Sequence, residues 1–176
     1  MNKIIKYNNH SYELFIENIE IISKIKKIAH NLNDVYLNKE VVFIGILNGC
    51  IEVLEELVKH LHFKYKIEYI DLSSYVGTTQ KKIIHKNDTM NTNLNGKNII
   101  LVDDIIDGGN TMKYSKKYIM KYNPRNVRVI SLLLRKKTKS LCDWYGFEIK
   151  NKYVIGYGMD IDNLFRDLKD IYIQID

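Results

Sequence analysis

The hydrophobic positions fall into alternating blocks. Residues 12–32 carry Leu14, Ile21, Ile22, Ile25, Ile28, Ala29 and Leu32 at helical spacing, which predicts an amphipathic helix. Residues 41–47 read Val-Val-Phe-Ile-Gly-Ile-Leu, the short unbroken apolar run of a parallel strand buried on both faces. Asn48-Gly49 closes that run, and residues 51–62 return to helical spacing through Ile51, Leu54, Leu57, Val58 and Leu61. Further strands are predicted at 66–73, 98–102 and 127–134, a helix at 110–122, and short strands at 153–155 and 171–175 flanking a turn near 160–166. Residues 75–97 are polar, and so long a polar stretch in a compact domain is usually a functional lid or a mobile excursion. Strand, helix, strand, repeated, predicts an α/β chain with a parallel sheet flanked by helices. Ligands of such sheets bind beyond the carboxyl ends of the strands, so the residues just after each strand are the candidates for function.

Composition narrows the picture. The length of 176 residues fits one domain with a real core. A hydrophobic share of 45% with 27% charged residues excludes a disordered or collagen-like chain. Lys and Arg outnumber Asp and Glu by 27 to 21, and the resulting +6 raises the question of a polyanionic partner. The lysines are spread along the chain rather than gathered, which argues against a nucleic-acid face. Lys, Asn, Ile and Tyr also have A/T-rich codons, so part of the excess reads as compositional background. Cys50 and Cys142 form no C-x-x-C pair and read as buried thiols in a reducing cytoplasm. No apolar run approaches the roughly 20 residues of a membrane span, and the N-terminus lacks the apolar core of a signal peptide. His60-x-His62 lacks further ligands nearby, so no zinc site is expected.

The chemistry concentrates where one strand ends. Ile99-Ile100-Leu101-Val102 runs into Asp103-Asp104, then Ile105-Ile106, then Asp107-Gly108-Gly109-Asn110-Thr111 at a helix start. Paired glycines let backbone N–H groups close around an anion. The helix N-terminus adds its dipole and free donors, and Thr111 adds a hydroxyl. Acids beside a phosphate site repel it unless they have another task, such as accepting hydrogen bonds from sugar hydroxyls or holding magnesium. Three acids in five residues exceed what a helix cap needs. Neither a Walker A loop nor a G-x-G-x-x-G fingerprint is present.

This segment resembles the phosphoribosyl pyrophosphate motif of the type I phosphoribosyltransferases, and further segments resemble their hypoxanthine-guanine branch from about Lys6 to the C-terminus. The resemblance implies a type I phosphoribosyltransferase fold: a single domain of residues 1–176, a central mostly parallel sheet flanked by helices, and a small hood formed mainly by the N-terminus and about 136–176. Asp103 and Asp104 then hold the ribose hydroxyls, and Gly108, Gly109, Asn110 and Thr111 cradle the 5′-phosphate. Gly108 stands where the family usually has Thr. Leu47, Asn48 and Gly49 match the pyrophosphate loop, where a non-proline cis peptide is characteristic; the family often has Lys where this chain has Asn48. Ser74 and Tyr75 match the mobile loop that covers the site. Arg135, with Lys136 next to it, falls where the family has a lysine that donates to the purine 6-oxo group. Tyr153 is the stacking residue, Val154 offers backbone groups to the base edge, and Lys152 lies beside them. Asp160 corresponds to the metal residue, with Asp103 and Asp104 as further candidates for magnesium, and Arg166 supplies charge for pyrophosphate. Asp107 is the candidate general base. The implied reaction is hypoxanthine, or guanine, plus phosphoribosyl pyrophosphate giving IMP, or GMP, plus pyrophosphate, by a cytoplasmic homodimer or homotetramer. A xanthine-preferring transferase and an RNA-binding regulatory homologue are the alternatives.

Overall fold

The computed structural model describes residues 4–76, 81–88 and 90–176, with side chains described for 4–72 and 90–176. In chain order the elements are β1 (Ile4–Tyr7), β2 (His10–Ile16), α1 (Asn18–Tyr36), β3 (Glu40–Leu47), α2 (Cys50–Val58), β4 (Lys64–Val76), β5 (Lys81–Asp88), β6 (Asn98–Ile106), α3 (Asn110–Ile119), β7 (Asn126–Arg135), β8 (Trp144–Ile149), β9 (Val154–Ile155) and β10 (Ile171–Gln174). Short 3-10 turns occupy Met120–Tyr122 and Lys136–Leu141.

The main sheet has the order β5-β4-β3-β6-β7-β8. Its five strands from β4 to β8 run parallel, and β5 pairs antiparallel with β4 at the edge. The central strands are apolar for most of their length because both faces are covered, with charge at their ends. One face carries the core of α1 and α2, with Ile21, Ile25, Leu54 and Leu57 against Phe43, Ile100 and Val102. The other carries Met112 and Ile119 of α3 against Ile99, Leu101 and Val129. A smaller sheet, β1-β2-β10-β9, joins the two ends of the chain, with Tyr12, Ile155 and Tyr172 in its own core.

Two segments depart from the sequence expectation. Residues 12–32 do not form one helix. His10–Ile16 is a strand that buries Tyr12 and Ile16, and the helix starts at Asn18 and runs to Tyr36. The break is a capping box between Glu17 and Glu20, each side chain accepting from the other's backbone N–H. Within the polar 75–97 stretch, backbone pairing carries β4 to Val76 and forms β5, so regular structure occupies part of what the polarity alone assigns to a loop. The strand at Trp144–Ile149 is a further addition.

Candidate active site

The connectivity sets the place. From β3 the chain crosses through α2 to β4 on one side, and from β6 it crosses through α3 to β7 on the other, with the two helices on opposite faces. Adjacent strands whose connections diverge leave a crevice beyond their carboxyl ends. The carboxyl ends of β3 and β6 carry Leu47–Gly49 and Asp103–Thr111.

The bond between Leu47 and Asn48 is cis, and α2 begins directly after Gly49. The α-carbon of Gly49 lies so close to the Asp104 carboxylate that any side chain there would overlap it. The loop after β3 is thereby seated on the acidic end of β6. Asp103 is buried, and its Oδ1 accepts from the Asp104 N–H at 3.1 Å; Asp104 Oδ1 accepts from the Ile105 N–H at 2.7 Å. Burial, and then the Asp104 charge, hold the Asp103 carboxyl well above the usual carboxylate range. Burial raises Asp104 too, against the opposing pull of its hydrogen bonds and of Arg166. Two such carboxyls carry full charge together only at a cost, which hydroxyl donors or a cation would offset.

Past Asp107 the backbone turns sharply. Gly109 has φ +79°, and a side chain on it would start 2.5 Å from Leu141 Cδ1 and 3.3 Å from Thr138 Cγ2. Helix α3 starts at Asn110 with no side-chain cap and no acid in its first turn, leaving its dipole and N–H groups for an anion. Around Gly108 nothing lies within 4 Å of where a side chain would begin, so a hydroxyl side chain there would meet open space. The buried Thr138 hydroxyl lies 2.8 Å from the Ile106 carbonyl oxygen and 2.9 Å from that of Arg135, bracing the loop from below. Sequence reasoning passed over Thr138; its one signal was a hydroxyl inside a lysine-rich turn.

A cavity of about 250 Å³ opens above these groups, lined by Asp104, Ile105, Asp107, Arg135, Tyr153, Val154, Met159 and Asp160. Six of these eight were candidates from sequence; Ile105 and Met159 were not. Arg135, with its side chain only 10% exposed, donates from Nε to Asp107 Oδ1 at 2.8 Å. Its other nitrogens donate to the carbonyls of Lys150 and, at 2.9 Å, Lys152. Lys152 thus contributes its carbonyl, while its side chain and that of Lys136 are exposed. Tyr153 is half exposed, and its hydroxyl donates to the Asp160 carbonyl at 3.0 Å. The Asp160 carboxylate pairs with Arg166 at 2.5 Å and accepts from the Asn163 N–H at 2.8 Å; Arg166 also donates to the Gly158 carbonyl at 2.7 Å. The Ser74 and Tyr75 backbones pair with Ile83 and Lys82 across β5, and their side chains lie outside the described residues.

A wider groove of about 730 Å³ runs along α1 past Ile19, Lys26 and His30, but no carboxylate lines it. Among the described residues, no group of three or more His, Cys, Asp or Glu forms a metal cage. Magnesium shared with substrate phosphates needs only one or two carboxylates, and Asp104 and Asp160 on one cavity wall fit that requirement.

Known proteins resemble this chain in sequence and in fold. The phosphoribosyl transferase domain family matches residues 13–162. The chain is 34% identical over 158 residues to the hypoxanthine-guanine-xanthine phosphoribosyltransferase of Tritrichomonas foetus, covering 88% of this chain and 86% of that protein. It is 35% identical over 163 residues to a hypoxanthine-guanine phosphoribosyltransferase of Streptococcus pyogenes serotype M3, covering 88% of each. A solved hypoxanthine-guanine phosphoribosyltransferase from Bacillus anthracis superposes with a TM-score of 0.82 at 26% identity, over 93% of this chain and 96% of that one. The Staphylococcus aureus hypoxanthine phosphoribosyltransferase shares the fold at a TM-score of 0.85 and 24% identity, over 93% and 91%. Matches of that extent settle the family: the chain belongs to the type I phosphoribosyltransferases, alongside their hypoxanthine-guanine members.

Proposed function

We propose that the protein joins a 6-oxopurine base, hypoxanthine and also guanine, to phosphoribosyl pyrophosphate, releasing IMP or GMP and pyrophosphate. One observation carries this reading: a slot holding Asp107, Arg135, Tyr153 and Val154 shares its wall with Asp104 and Asp160, next to the open N-terminus of α3. A planar base and a polyanionic sugar phosphate would meet at that wall. Asp103 and Asp104 accept from the ribose hydroxyls, and Gly108, Gly109, Asn110 and Thr111 surround the 5′-phosphate. Leu47, Asn48 and Gly49, with Arg166, take the pyrophosphate. Tyr153 covers one face of the base, Val154 meets its edge through backbone groups, and Lys152 flanks it. As N9 bonds to C1′ of the sugar and pyrophosphate leaves, Asp107 accepts the proton that departs from N7. Asp160, with Asp103 or Asp104, would hold magnesium, which would neutralise charge on the leaving group. Ser74 and Tyr75 belong by their sequence to the segment that closes over the site and keeps water from the oxocarbenium-like sugar. The working unit in this reading is a cytoplasmic homodimer or homotetramer of single-domain chains.

The test is an absorbance assay with hypoxanthine, guanine and xanthine in turn, with phosphoribosyl pyrophosphate and magnesium. Turnover is expected on hypoxanthine and guanine, and Asp107→Asn should lower kcat by about a hundredfold or more with a much smaller change in KM. No turnover on any base would overturn the reading, and turnover confined to xanthine would reassign the substrate.

A further inference from the structure

Arg135 occupies the position where a base-reading cation is expected, yet its guanidinium already serves three acceptors. Nε reaches Asp107 at 2.8 Å, one terminal nitrogen reaches the Lys150 carbonyl, and the other reaches the Lys152 carbonyl at 2.9 Å. The three acceptors come from two separate parts of the fold. Asp107 follows the end of β6, whereas Lys150 and Lys152 bracket the turn that delivers Tyr153 and Val154 to the slot. The planar guanidinium spans these acceptors with three separate nitrogens, and a lysine ammonium, whose three donors share one nitrogen, does not reproduce that spread. The side chain is also nine-tenths buried. Swinging it toward a bound base would take the donor from the Lys152 carbonyl and the partner from the half-exposed Asp107 carboxylate in exchange for a contact to one carbonyl, while the Lys150 carbonyl would keep its bond from the Lys152 N–H at 2.8 Å.

From this geometry we propose that Arg135 is a positioning residue that sets the width of the base slot. It clamps Asp107 to the 150–152 turn and so fixes the proton acceptor relative to Tyr153 and Val154. It does not read the 6-oxo group. This inference rests on the purine-transferase reading above and adds to it a division of labour between slot geometry and base recognition.

The two roles separate with a pair of nucleotides that differ only at position 6: IMP and purine riboside 5′-monophosphate, which lacks the oxo group. Their affinities are measured calorimetrically on the full chain, on Arg135→Ala and on Arg135→Lys, with circular dichroism to confirm folding. A clamp predicts that both nucleotides weaken by the same factor, about tenfold, in Arg135→Ala. It predicts a parallel loss in Arg135→Lys, which keeps the charge and lacks the fork; that variant carries the test if the alanine chain fails to fold. Loss confined to IMP would show direct reading of the oxo group and overturn the proposal. Unchanged affinity for both nucleotides would overturn it as well. A wild-type chain that binds neither nucleotide would instead overturn the purine-transferase reading on which the proposal rests.

Discussion

Asp103 is buried and Asp104 partly buried beside it, and a second negative charge there is costly. The Asp103 carboxyl is raised by burial and by its neighbour, so the native state holds a proton that the unfolded chain releases. The unfolded chain therefore binds fewer protons, and stability falls as pH rises from the ordinary carboxylate range, about 3.9, through the raised native value. Asp103→Asn removes that titration. Its melting temperature should exceed wild type by a few degrees at pH 7–8, with the difference closing toward pH 4. Melting below wild type at neutral pH would mean that the carboxylate itself supports the fold. The same poor solvation suits the pair to accept hydrogen bonds from sugar hydroxyls, because donors brought by a substrate replace water the acids lack. Both acids were legible in the sequence, since a buried strand that runs straight into charge needs a reason. The engagements of Arg135 were not: its partner Asp107 is 28 positions away, and nothing local marks which acid a cation will choose.

At the scale of elements, the loop between β6 and α3 is the most constrained. Gly109 combines a left-handed backbone with the close approach of Thr138 and Leu141, from the 136–141 turn after β7, to where a side chain would begin. Gly109→Ala should cost about 2 kcal/mol in urea unfolding, from backbone strain and overlap together, and should weaken binding of a nucleoside 5′-monophosphate. Wild-type stability would show that the turn relaxes freely and that the glycine is not required there. The interior strands β3, β6 and β7 were readable because strands covered on both faces leave continuous apolar runs. The outer elements were not. Along β2, Tyr12, Leu14 and Ile16 alternate with Ser11, Glu13 and the exposed Phe15, but Leu14 also fits the helical spacing of the residues after it. The boundary at Glu17 is a glutamate capping box instead of the usual Ser, Thr, Asp or Asn start. Strand β5 is lysine-rich and held in register by backbone bonds to β4, so its sequence carries little periodic signal.

Across the whole molecule, the basic balance acquires a location. Helix α3 exposes Lys113, Lys116 and Lys117 directly after the Gly108-Gly109 turn, with Lys121 beyond, and no acid occurs from 110 to 125. These cations lie downstream of the acidic strand end and bias the field toward a polyanion. The KM for phosphoribosyl pyrophosphate should rise several-fold between low salt and about 0.3 M salt, with kcat changing little. A KM independent of ionic strength would remove this role for the charge. The sequence by itself determined the parallel α/β core, the acidic strand end and its glycine turn, because those properties depend on neighbours a few positions apart. Only the tertiary structure decided that β1 and β2 join β9 and β10 from the far end of the chain. It alone seated Gly49 on Asp104 and bound Arg135 into the wall of the slot. Those arrangements depend on which distant segments share a desolvated space, and the chain specifies that only once it is folded.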